Sequence, residues 1–183
     1  MQKTVTAFER GQQICIEQGD HEYYGYHTLL SITGLVLSGH PLDRILDRIT
    51  REKIKLKQLN HPYGQTVLSI QARALSNLNQ GVDRPWDLGS DLLNENNLRE
   101  ENQGLFSELI FHRLCAAFFC GDMEAALGFK KQMEAIIEEM VGTTTYCGFY
   151  FMAAIIEIKA GKNLKTQKKC LKLLNWCQAN NPG

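Results

Sequence analysis

Apolar side chains recur at steps of three and four through residues 105–140, LFSELIFHRLCAAFFCGDMEAALGFKKQMEAIIEEM. Leu105, Leu109, Ile110, Leu114, Ala117 and Phe118 fall on one helical face. After a break, Ala125, Ala126, Phe129, Met133, Ile136 and Ile137 resume the same period. The break is Gly121-Asp122. Glycine accepts the left-handed backbone that ends a helix, and an aspartate carboxylate caps the free amides of the helix that follows. The pattern predicts two antiparallel helices joined by a tight turn, with small alanines that let them pack closely.

The rest of the chain follows the same scheme. Residues 4–18 read as a helix that ends at Gly19 and has no partner upstream, like the second half of a hairpin. Asp20 opens a second helix in which Tyr23, Tyr26, Leu29, Leu30, Ile32, Leu35 and Val36 carry the apolar positions, and Gly39 closes it. Pro41 stands where the next helix begins and its missing amide hydrogen does no harm. That third helix is the most amphipathic, with Leu42, Ile45, Leu46, Ile49, Ile54, Leu56 and Leu59 expected to face inward. Asn60-His61-Pro62 is a break, and a fourth helix ends at Gly81. From residue 82 to about 98, Pro85, Gly89 and the asparagines predict a loop with one short helix, anchored by Trp86. Two more helices follow Gly142, with Gly161 between them.

Gly39, Gly81, Gly121 and Gly161 are 42, 40 and 40 residues apart. Two helices per period of that length belong to stacked helical hairpins, and no residue pair reads as a hairpin of strands. The expected fold is all-α: one domain over residues 1–183, built as a right-handed α-solenoid of about four stacked antiparallel hairpins. Its structural turns are Gly19, Asp20, Gly39, Pro41, Gly81, Gly121, Asp122 and Gly161.

Residues 19–45 (GDHEYYGYHTLLSITGLVLSGHPLDRI), 117–127 (AFFCGDMEAAL) and 145–161 (TYCGFYFMAAIIEIKAG) resemble the tetratricopeptide-like helical region of multidomain signalling ATPases and multi-sensor kinases. The Gly-Asp-x-Glu-Tyr and Ser-Gly-x-Pro-Leu pieces carry most of the likeness, which runs in the same order over almost the whole chain. In that family the region follows a nucleotide-binding ATPase domain and precedes sensor and kinase domains. The resemblance therefore implies a fragment of a larger ATP-dependent kinase, serving as a regulatory scaffold that contacts neighbouring domains or a peptide. The family's catalytic residues lie in domains outside this chain, so none is carried over.

Composition narrows the partner class. Twenty basic residues balance twenty acidic ones. A formal charge of zero argues against nucleic acid or an anionic membrane as the main partner, because both select for a basic excess. No segment is apolar for long enough to read as a membrane helix, MQKTVTAFERGQQ lacks the apolar core of a secretory signal, and six scattered cysteines, Cys15, Cys115, Cys120, Cys147, Cys170 and Cys177, are expected to be reduced in a cytoplasmic protein.

No catalytic, cofactor or metal site is expected. Residues 34–41 have the glycine spacing of a phosphate loop but lack its lysine and hydroxyl and follow a helix, where the motif needs a strand. His21 and His27 are six apart, which a helix turns away from a shared metal. Neither Cys115 with Cys120 nor Cys170 with Cys177 has zinc or redox spacing, and the latter two read as packing residues on one face. His112 reads as a structural histidine on a polar flank. Asp43, Asp47 and Glu52, interleaved with Arg44, Arg48 and Arg51, read as a solvated, salt-bridged face. Lys159, Lys162, Lys165, Lys168, Lys169 and Lys172 make a basic end, opposite in sign to Asp87, Asp91, Glu95, Glu100, Glu101 and Glu108; such a dipole can guide an acidic partner, but it reads first as a soluble surface.

Overall fold

A computed structural model describes residues 2–89, 98, 102–141, 143–161 and 165–180. Among the described residues there are eight α-helices, one 3-10 turn and no strand. The contacts divide the chain into two compact units, residues 1–83 with 88–94, and residues 84–87 with 95–183.

The first unit holds α1 (Gln2–Gln18), α2 (His21–Leu37), α3 (Leu42–Gln58) and α4 (Pro62–Gln80). α1 and α2 form a hairpin. Gln12 Nε2 donates to Thr28 Oγ1 at 2.6 Å, and Gly11 and Gly34 lie against His27 and Val5, so the paired positions run in opposite directions. The reading of this helix as the second half of a hairpin is thereby corrected: it is the first half, and its partner is the helix that follows. Val5 and Cys15 are buried and Phe8 meets the His27 ring at 5.9 Å, leaving only Ile14 and Ile16 of its large apolar residues exposed. α3 is antiparallel to α2, with Tyr24 opposite Glu52 and Ser31 opposite Arg48. Ile32, Ile45, Ile49, Leu56 and Leu68 fill the core between these helices, each contributing about 1.5–3 kcal/mol by leaving water.

Three residues of the apolar pattern, on α2 and α3, face water. Tyr23 and Tyr26 are exposed, stacking edge-on with each other at 6.0 Å, while Tyr24, Gly25, Thr28 and Ser31 are buried. α2 is sandwiched, with α1 on one side and α3 and α4 on the others, so its small and polar face is covered too. Ile54 is 57% exposed because the buried stripe of α3 is Ile45, Ile49, Glu52 and Leu56. Two residues from Leu56, Ile54 points about 200° away.

The second unit contains α5 (Gln103–Cys120), α6 (Met123–Glu134), a 3-10 turn (Ile137–Met140), α7 (Thr144–Lys159) and α8 (Lys165–Asn180). Gly121, with φ +89°, ends α5, and Asp122 accepts the Ala125 amide at 2.9 Å to start α6. α6 stops before residue 140, earlier than its apolar period implies. Ile136 leaves helical geometry at φ −126°, and the tighter turn that follows still buries Ile137 and Met140. Burial satisfies the apolar pattern without a continuous helix.

α5 and α7 are parallel. Thr145 bonds Glu108, and Phe111 lies against Gly148, a constant separation of 37 residues. α8 returns antiparallel on α7, with Lys169 at Tyr150 and Thr166 at Glu157. Arg84 lies 5.9 Å over the Trp86 ring in the non-helical stretch before α5, and most of the remainder of the expected loop with its one short helix, residues 90–97, lies outside the described residues.

Candidate binding groove and buried polar clusters

The predicted turn residues sit singly at helix ends and converge on no site. Gly19, Gly39, Gly81, Gly121 and Gly161 all have positive φ, from +64° to +89°. Asp20 accepts the Tyr23 amide at 3.1 Å, and Pro41 occupies the N-cap of α3 without a side-chain bond. His61 has a capping role that its sequence position hides: its Nδ1 accepts the Gly64 amide at 3.0 Å, just ahead of Pro62 in the first turn of α4.

A concave surface appears where α1 and α3 flank α2. Arg48, Arg51, Glu52 and Lys55 occupy one flank of α3 at helical steps, and Glu9, Gln12, Gln13 and Ile16 occupy the facing flank of α1. Two adjoining depressions, of about 460 and 330 Å³, share Glu9 and Lys55, and Tyr24 of α2 lines the second. Arg48 ties the walls together, its guanidinium meeting Glu9 at 2.5 Å and Ser31 at 2.9 Å. Tyr24 donates its hydroxyl to Glu52 at 2.7 Å. Burial, and then the bond to Glu52, raise the Tyr24 pKa above the ordinary tyrosine range. Glu52 is therefore a buried member of the groove, which corrects its assignment to a solvated face. Arg48 is largely covered as well.

The second unit holds a partly buried set that resembles catalytic machinery in composition alone. Glu108, His112 and Cys115 stand at i, i+4 and i+7 on α5. Burial pushes the Cys115 thiol up to about 12, with Glu108 adding to the effect, and pulls His112 down to about 4. A nucleophilic cysteine needs a thiolate near neutral pH, and this environment opposes one. His112 Nε2 lies 3.7 Å from Glu108 Oε2, with no hydrogen-bond partner. His112 is thus largely covered and faces α5's own carboxyl, where its sequence reading has it on a polar flank. Glu108, assigned to an acidic surface, is largely covered; desolvation raises its pKa while the Thr145 hydroxyl bond opposes the rise.

Two lysines of this unit are held by their neighbours. Lys130 bridges Glu134 at 2.6 Å and Glu157 at 2.9 Å. Lys169 bonds Glu138 at 2.5 Å and the Tyr150 hydroxyl at 2.7 Å, with its ammonium 4.2 Å from the Tyr150 ring centre. For both, burial works against the charge, but the hydrogen-bonding partners outweigh it and hold the ammonium above the ordinary range. Part of the expected basic end is therefore internally satisfied. Asp91, Glu95, Glu100, Glu101, Lys162 and the side chains of Lys165 and Cys177 lie outside the described residues.

Cys15, Cys115, Cys120, Cys147 and Cys170 are free thiols. Among the described residues, no three His, Cys, Asp or Glu side chains converge as a metal ion requires, and no helix is long and apolar enough to cross a membrane. No protein-family model matches the chain, and neither a curated protein nor a solved structure matches it.

Proposed function

We propose that this chain is a non-catalytic helical-repeat scaffold, a tetratricopeptide-like right-handed α-solenoid acting through protein-protein or interdomain contact. In this reading it is a cytoplasmic regulatory segment of a multidomain signal-transduction ATPase or kinase. The observation that carries the repeat reading is the parallel register of α5 and α7, in which Glu108 meets Thr145 and Phe111 meets Gly148 at one offset of 37 residues. Stacked hairpins place equivalent helices of successive repeats side by side in this way. The groove between α1 and α3 supplies a surface for a partner, and the raised Cys115 thiol and depressed His112 speak against nucleophilic chemistry.

Two measurements test the reading. Calorimetry of the chain with magnesium and ATP is expected to show no binding, and micromolar binding would remove the non-catalytic assignment. Sequencing the transcript tests the multidomain setting: a contiguous frame with an ATPase or kinase module supports it, and a frame with neither removes it. A free-standing adaptor that binds a peptide or an acidic partner is the second reading. It is favoured by α1, whose Val5 and Cys15 are already buried within the first unit.

A further inference from the structure

The cations of the α1–α3 groove are placed differently from its anions. Glu52 lies buried at its base with one oxygen taken by Tyr24, and Glu9 is engaged by Arg48 at 2.5 Å. Lys55 is 56% exposed at the rim and only 3.6 Å from Glu52, a loose contact. Arg51 is exposed, and no described acid pairs with it. The last two turns of α3 add Lys53 and Lys57, leaving Glu52 as the one acid among Arg51, Lys53, Lys55 and Lys57. Ile16, exposed on the opposite wall, offers an apolar contact.

We infer that this groove takes an extended acidic peptide segment of a partner protein, whose carboxylates meet Arg51 and Lys55 and whose apolar side chain packs on Ile16. Arg51 and Lys55 are one helical turn apart, so both reach one ligand. From Arg48 to Lys55 the wall is roughly 10 Å long at 1.5 Å per residue, room for about three extended residues. The guanidinium offers two parallel donors to a carboxylate, and Lys55 a compact charge. The inference rests on the binding-module reading and specifies its partner chemistry.

The test uses the full chain and the fluorescein-labelled peptide Glu-Asp-Leu-Asp-Glu, read by fluorescence anisotropy, with Lys-Arg-Leu-Arg-Lys as its charge-reversed counterpart. The acidic peptide is expected to bind, to weaken with added salt, and to lose at least tenfold in affinity in Arg51→Ala and in Lys55→Ala, with melting temperature unchanged. Lys168→Glu and Lys172→Glu on α8 should leave it unaffected. An acidic peptide that does not bind overturns the inference, as does one whose binding falls equally in the α8 variants, which would mean general charge attraction. Binding of the basic peptide alone, lost in the Ile16→Asp variant, overturns the acidic partner while leaving the groove a docking surface. If neither peptide binds, and neither Arg51→Ala nor Ile16→Asp alters association with any domain encoded in the same reading frame, the binding-module reading falls as well.

Discussion

Thr145 of α7 donates its hydroxyl to the partly buried carboxyl of Glu108 on α5, one turn from where Phe111 lies against Gly148 in the same helix pair. His112, one turn along α5, faces the same carboxyl and has no other partner for its Nε2. The pair makes stability depend on pH. His112 is depressed to about 4 from an ordinary 6.5, so between these values the unfolded chain takes up a proton that the folded chain refuses. Stability is complete above pH 6.5 and is lost as pH falls towards 4, by on the order of 2 kcal/mol at pH 5. Glu108 is shifted upward and acts in the opposite sense, losing its contribution as pH rises above the ordinary carboxyl range. Urea unfolding at pH 7 and pH 5 should give a smaller difference for His112→Gln than for the native chain. Equal differences would mean that the imidazole does not titrate as its burial implies.

Tyr24→Phe removes the hydroxyl that satisfies Glu52, leaving a buried carboxylate with only the distant Lys55. The expected loss is about 1–3 kcal/mol, the cost of an unsatisfied buried acceptor. Adding Glu52→Leu should recover part of it, because no charge then remains to be solvated. A double-mutant cycle by chemical denaturation checks this, and strictly additive losses would contradict the coupling.

Two glycine-to-alanine changes should have opposite signs. At Gly25 the new methyl would lie 2.3 Å from the ring of His61, which is itself held by capping α4, so overpacking should cost about 1–3 kcal/mol. At Gly128, inside α6, nothing lies within 4 Å, and alanine should stabilise by roughly 0.5–1 kcal/mol through helix propensity. Thermal melts of the two variants should move in opposite directions; a shared direction would show that the close approach of α2 and α4 is not as described.

Gly121 tests backbone geometry without packing. Its φ of +89° suits glycine, and a side chain there would meet nothing within 4 Å. Gly121→Val should therefore lose roughly 1–2 kcal/mol from strain alone, and Gly121→Asn less, since asparagine tolerates this region. Denaturation midpoints that rank the two the other way would remove the left-handed turn.

The helices themselves were legible because their signals are local. Period, the left-handed glycines and the Asp20 and Asp122 caps each involve residues within a turn or two of one another, so Gly121-Asp122 can be read without knowing what α5 packs against. The groove was not legible in this way. Glu52 alternates with arginines in a pattern that reads as solvated, and only the arrival of Tyr24, 28 residues distant in the chain, turns it into a buried acceptor. His112 likewise reads as polar until α7 covers its stretch of α5.

By itself, then, the sequence determined the helices of the described residues and the glycine turns between them, since these follow from side-chain period and backbone sterics along a few consecutive residues. Tertiary structure alone decided that α1 has a partner in α2, that Tyr23, Tyr26 and Ile54 face water, that Glu52 is buried, and that Glu108 and His112 are largely covered. A helix carries its period whichever side is covered, but burial is set by the neighbours that arrive, and those neighbours are chosen by contacts far apart in the chain.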